Sequence, residues 1–284
     1  MSASRPPDQP TDARERLKQH FTAAESAHPS RWDDLWKTGD FLPWDKGFPN
    51  PALEDLFTKN TDLVGGSPLK ADGSRKRALV PGCGKGYDVL LLSSFGYDAV
   101  GLEASSNAVA ACERYRTENE GKDLYAVKDE KVGAGECSFV CGDFFKDGWL
   151  SQVGGGGDLP KFDIIYDYTF LSALPPSFRP AWALRMSNLL SESGGLVCIE
   201  FPTYKPPSTG GPPWALPPPV YEQHLARPGE ELPYDAEGYV IENKSENGEV
   251  PRNQDGLLRI AHWQPERTHE IGKGTDWIGI WRHA

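Results

Sequence analysis

Residues 77–86, RALVPGCGKG, leave few folds open to this chain. A short apolar run enters three glycines at alternate positions, and YDVLLLSSFG follows with the content of a helix ending at Gly96. A strand that turns sharply through glycine into a helix is the first half of a parallel βαβ unit. Glycine lets the backbone take positive φ there and approach a ligand closely. The spacing is G-x-G-x-G and not the G-x-G-x-x-G of a pyrophosphate site. The exposed N–H groups of such a turn suit a carboxylate-bearing ligand, although a tight turn without a ligand fits equally well.

The alternation continues. YDAVGLEA reads as a strand, and SSNAVAACERYRTE reads as a helix capped by Ser105 or Ser106. CSFVCGDFF, FDIIYDYTF and GGLVCIEFP are further strands, with the helix SFRPAWALRMSNLL between the last two. LLRIAHWQ and DWIGIWRH read as a closing hairpin. This predicts an α/β doubly wound sheet with a C-terminal antiparallel hairpin and an N-terminal helical cover. The expected division is a tail and leading helix over 1–30 and a single domain over 31–284. Residues 11–27 and PALEDLFTKN supply helices, and 61–76, 119–136 and GGGGDLP are polar loops. Eight prolines between 202 and 219 predict an ordered loop, with a short helix near VYEQHLA.

Composition narrows the partners. The net charge of −11 over 284 residues, with no basic run, disfavours phosphate backbones and anionic membranes. A local basic pocket remains open, because net charge says nothing of one cleft. No apolar run reaches the roughly 18 residues of a membrane span. Five cysteines at wide spacing suit a reducing, cytoplasmic compartment, and Cys137 and Cys141 read as core thiols, with no metal site. The chain reads as a monomer acting on a small molecule or anion.

Glu103 ends the second strand about 20 residues after the first glycine, where an acid can accept from both ribose hydroxyls. Asp143 and Phe144 end the third, placed to meet an adenine amino group and cover its ring. Gly82, Gly84, Glu103, Asp143 and Phe144 thus make a candidate adenosyl site.

With W-x-x-x-W, PWD-x-G, LVPGCGKGYDV, GDFF, FDIIYDYTFLSALPP-x-x-R and FP…GGPPW in order, the chain resembles the thiopurine S-methyltransferase superfamily, in its thiol and halide methyltransferase branch, over about residues 31–225. The resemblance implies a class I methyltransferase (Rossmann-like) fold and S-adenosylmethionine as cofactor. It implies that Trp32, Trp36 and Trp44, within 31–60, form an aromatic cover on the cofactor, where π faces suit a sulfonium; filling a core is the competing role. It adds Tyr168 to the cofactor contacts and places Tyr168 and Arg179 in catalytic positions beside the acceptor. Phe170, Phe201 and Trp214 are expected to line an apolar acceptor pocket. The chain departs from plant members in a one-residue longer step from Trp36 to Trp44. It also carries Phe201 where they carry a tyrosine, which removes a hydroxyl donor from the pocket. The expected reaction is methylation of a halide ion or thiol, by positioning and desolvation with no strong general base; a larger secondary-metabolite thiol as acceptor, or S-adenosylmethionine binding without catalysis, is the alternative.

Overall fold

The computed structural model describes residues 11–22, 25, 28–154 and 160–284. Among the described residues, seven strands lie in the order β3 (Cys137–Cys141), β2 (Asp98–Glu103), β1 (Arg77–Pro81), β4 (Phe162–Tyr168), β5 (Leu190–Glu200), β7 (Trp277–His283) and β6 (Leu257–Trp263). The chain divides into two compact units, Ala23–Tyr166 and Met1–Thr22 with Asp167–Ala284.

In the first unit, β1 (Arg77–Pro81) pairs in parallel with β2 (Asp98–Glu103) and with β4 (Phe162–Tyr168), and β2 pairs in parallel with β3 (Cys137–Cys141). Parallel strands are covered on both faces, which explains their nearly continuous apolar runs. Leu79, Ala78, Ile164 and Ile165 are fully buried. Helices α2 (His28–Thr38), α3 (Pro51–Lys59), α4 (Tyr87–Ser94) and α5 (Ser106–Asn119) complete this unit. Asn50 caps α3 through the Ala52 N–H, with Pro51 in the first turn where its missing N–H costs nothing. Ser105, and not Ser106, caps α5 through the Ala108 N–H. The 119–136 segment holds buried Tyr125, whose hydroxyl meets that of Tyr115 at 3.0 Å. Most of GGGGDLP lies outside the described residues.

The second unit contains α1 (Thr11–His20), α6 (Phe170–Ala173), α7 (Arg179–Leu189) and α8 (Pro218–Ala226), with β5 (Leu190–Glu200), β6 (Leu257–Trp263) and β7 (Trp277–His283). β7 runs antiparallel to both β5 and β6, so the expected hairpin is present. Its register shifts between Arg259 and Ala261. The helix expected over 11–27 ends at His20, and residues 23, 24, 26 and 27 lie outside the described residues.

Two expectations need correction. Cys137 is buried but Cys141 is exposed, because β3 ends there and its side chain leaves the core. The strand expected over CSFVCGDFF also stops at Cys141, so Asp143 and Phe144 sit in the following loop. Its local bonding explains this: the Asp143 carboxylate accepts from the Phe145 N–H at 3.0 Å and folds a turn.

Candidate active site

The glycine turn is built as the spacing requires. Gly84 takes φ 60°, and a side-chain carbon there would meet nothing within 4 Å, so its backbone faces open space. Gly86 has a different reason. At φ 79°, a Cβ would stand 2.4 Å from the Phe139 ring. The Gly82 N–H donates to the Leu102 carbonyl at 2.8 Å, and the Gly84 N–H donates to Glu103 Oε1 at 2.8 Å. Glu103 therefore lies directly on the turn. Burial pushes its carboxyl up to about 7, against the pull of the Gly84 and Ala104 N–H groups. A carboxylate offers about four acceptor sites, so the one used by Gly84 leaves capacity for a diol. The Gly142 N–H donates to the Glu103 carbonyl at 2.8 Å, which brings the Asp143–Phe144 loop alongside. Asp143 also pairs with Lys146 at 3.3 Å, and the Phe144 ring is buried edge-on to Phe145.

The three tryptophans converge. Trp44 meets Trp32 at 5.0 Å and Trp36 at 5.9 Å between ring centroids, both edge-on. Trp36 is buried and fills the core, whereas Trp32 and Trp44 are half-buried. The tryptophan cluster is fastened to the glycine turn by Asp45, the neighbour of Trp44. Its carboxylate accepts from Lys85 Nζ at 2.5 Å and from the Tyr87 hydroxyl at 2.7 Å. Burial works against the Asp45 carboxylate, but Lys85, Tyr87 and the Gly47 N–H outweigh it and hold the group below its ordinary range. A second tie joins the Asn50 N–H to Asp88 at 2.8 Å, and a third joins Asp33 to Ser105 and Asn107 at 2.5 and 3.0 Å. The sequence does not reveal these ties, although Asp45 lies in PWD and Lys85, Tyr87 and Asp88 lie in GKGYDV. The signal was present as charged and hydroxyl residues at fixed offsets from the glycines.

The expected acceptor residues lie in the second unit. Tyr168 stacks on His269, with centroids 5.6 Å apart, and its ring lies 6.4 Å from that of buried Phe201. His269 sits between β6 and β7 in a segment with no motif, so nothing in the sequence singled it out. Thr169 takes φ 68°, unusual for a β-branched residue. It redirects the chain into α6, which Phe170 begins. Trp214 is anchored by its N–H to the Ser172 carbonyl at 2.7 Å, while its indole N–H is buried without a hydrogen-bond partner among the described residues.

Arg179 begins α7 with 3% of its surface exposed. It donates to the Ala215 carbonyl at 2.8 Å and to the Tyr234 hydroxyl at 3.0 Å, both uncharged, and its Nε has no partner among the described residues. The Tyr234 hydroxyl also meets His224 Nε2 at 2.7 Å. Burial, with Arg179 and Arg227 nearby, drives His224 down to about 3, so it stays neutral. A buried guanidinium among neutral partners favours an anion nearby.

The thiopurine S-methyltransferase family pattern matches residues 27–255. The chain belongs to that family. It is 33% identical to a probable thiol methyltransferase 2 of Arabidopsis thaliana over 84% of this chain and 85% of the relative. It is 31% identical to thiocyanate methyltransferase 1 of Brassica oleracea over 74% and 80%. Among solved structures it is similar to a magnesium protoporphyrin IX methyltransferase from Synechocystis with bound SAH, at TM-score 0.55 and 12% identity, covering 90% of this chain and all of that one. This last likeness concerns the fold, which is that of class I methyltransferases, as the family resemblance implies. Among the described residues no helix is long and apolar enough to cross a membrane, and no group of three or more His, Cys, Asp or Glu could hold a metal.

Proposed function

We propose that this chain, as a thiopurine S-methyltransferase family member, is an S-adenosylmethionine-dependent methyltransferase whose acceptor is a small soft nucleophile, a thiol before a halide. The observation carrying the donor half is the Gly84–Glu103 contact, a carboxylate laid on an open glycine turn. Glu103 would hold the ribose hydroxyls, and the N–H groups of residues 82–86 the amino acid end. Asp143 and Phe144 would meet the adenine, and Trp32 and Trp44 would exclude water. When bound, the donor supplies a methyl group already activated by its sulfonium.

On the acceptor side, the proposed roles follow from charge and burial. Arg179 would favour the anionic form of a thiol, since an opposite charge lowers a thiol's pKa. Tyr234 and neutral His224 hold the guanidinium in place. The buried indole N–H of Trp214 is a further donor for an anion. Tyr168, Phe170 and Phe201 would cover the apolar part of the acceptor. A soft anion stripped of water needs no general base. Among the described candidate residues none forms a nucleophile–base pair.

Small anions such as iodide or thiocyanate are the second reading, favoured by Arg179 and the unpartnered Trp214 donor. Phe201 offers apolar cover and no donor, so polarizable acceptors should win. The test is kcat/KM with an aryl thiol, hydrosulfide, iodide, bromide and chloride. Good turnover of thiols and iodide, poor turnover of bromide and almost none of chloride is expected. Chloride matching iodide, or no methyl transfer to any of them, would overturn this reading.

A further inference from the structure

Helix α1 carries Arg14 and Lys18 four residues apart, hence on one face. In the same unit, Tyr204 and Lys205 open the proline- and glycine-rich loop. The Arg14 guanidinium donates to the Tyr204 hydroxyl at 3.2 Å. Half-buried Lys205 donates to the carbonyls of Gly210 and Pro213 at 2.6 and 2.5 Å, leaving one of three ammonium hydrogens. The stem of Lys18 comes to the same place, its Cε lying 3.4 Å from where a side-chain carbon on Gly210 would stand. Burial and these two neighbouring cations bring Lys205 down to about 8; both charges acting on it are positive. Acids outnumber bases 41 to 30 in this chain, so three cations converging against the overall balance need a reason.

The aromatic side chains supply the direction. The Phe201 ring lies 6.4 Å from Tyr168 on one side and 6.5 Å from Tyr204 on the other. The row Tyr168–Phe201–Tyr204 thus runs from the candidate acceptor residues to the cations.

We propose that Arg14, Lys18 and Lys205 form an anion subsite that takes the carboxylate of an acidic thiol whose apolar spacer lies along Tyr168, Phe201 and Tyr204. This rests on the methyltransferase reading and narrows its acceptor to a class, thiols with a carboxylate about one aromatic ring from the sulfur. Three donors from two segments match the oxygens of a carboxylate. A surface subsite of this kind acts on affinity and encounter and weakens with salt.

The experiment compares 4-(mercaptomethyl)benzoate with benzyl mercaptan, whose thiols are insulated from the ring and alike in acidity. The expected preference for the carboxylate in kcat/KM is about tenfold, the size of one charge-assisted hydrogen bond, expressed mainly in KM. It should shrink at high ionic strength. Lys205 also ties the loop, so the decisive variants are Arg14→Met and Lys18→Glu on the helix surface, each expected to reduce the ratio to twofold or less. A ratio of one or below in the natural protein, or a ratio kept in both variants, overturns the proposal. The methylated products, tested as equilibrium ligands, separate the two claims. Tighter binding of the carboxylate product, lost in the variants, without turnover of either thiol, upholds the subsite and refutes methyl transfer to thiols. Turnover of both thiols with no carboxylate preference does the reverse.

Discussion

Glu103 is predicted to trade stability for binding. Its carboxyl sits at about 7 where an ordinary one sits at 4.5. The fold therefore prefers the protonated form, and ligand-free stability falls as pH rises from 4.5 to 7. At about 1.4 kcal/mol per pH unit, the rise caps the penalty near 3 kcal/mol above pH 7. Glu103→Gln keeps an oxygen for the Gly84 N–H and removes the charge. Without ligand at pH 8 it should melt higher than the natural protein. Donor binding should move the other way. Hydrogen bonds to a charged group are worth roughly 1.5–3 kcal/mol each, and two would serve the ribose, so affinity should fall at least tenfold. In the natural protein, S-adenosylhomocysteine affinity should rise as pH climbs from 5.5 to 7 and level above it; the variant should lose that slope. Calorimetric titration across pH, paired with melting curves, reads both effects. A variant with unchanged affinity, or one that melts lower at pH 8, would refute the reading that the Glu103 carboxylate destabilises the fold and binds the ribose.

Asp45→Asn breaks the Lys85 ion pair beside Trp44 and should weaken S-adenosylhomocysteine binding roughly three- to tenfold, about 1 kcal/mol, with the fold intact; an unchanged tryptophan-fluorescence titration would mean the fastening is idle. Phe201→Tyr adds a donor and should shift the kcat/KM ratio from thiol toward iodide, and an unmoved ratio would remove Phe201 from acceptor choice. Gly86→Ala sets a methyl group 2.4 Å from Phe139 at a positive φ, so it should cost about 1–3 kcal/mol in denaturant unfolding, and a neutral result would contradict the packing described.

The parallel strands were legible because each apolar run is bounded by glycine, a polar cap or a helix of clear period. β1, β2, β4 and β7 fall within two residues of where the sequence places them. β3 was read too long, because Asp143 and Phe144 continue an apolar run while the Asp143 side chain folds the turn. The glycine turn and Glu103 were visible because their chemistry is local in sequence. Asp45 with Lys85, Arg179 with Tyr234, and Tyr168 with His269 were not, since each pairs residues tens of positions apart. The resemblance marks Arg179 and Tyr168 but not Tyr234 or His269, and it holds Asp45 and Lys85 in separate motifs without pairing them. Arg179 was expected beside the acceptor, but its neutral partners and burial could be learned only from the folded chain.

The glycine turn and Glu103 are proposed to hold an adenosyl sulfonium donor and not a dinucleotide. The direct test is the melting temperature with S-adenosylhomocysteine and with NAD at equal concentration. A ligand bound only by the native state at a hundredfold excess over its dissociation constant stabilises it by about 2.7 kcal/mol. A clear rise with S-adenosylhomocysteine, none with NAD, and loss of the rise in Glu103→Ala are expected. Equal shifts with both ligands, or none with either, would contradict that proposal.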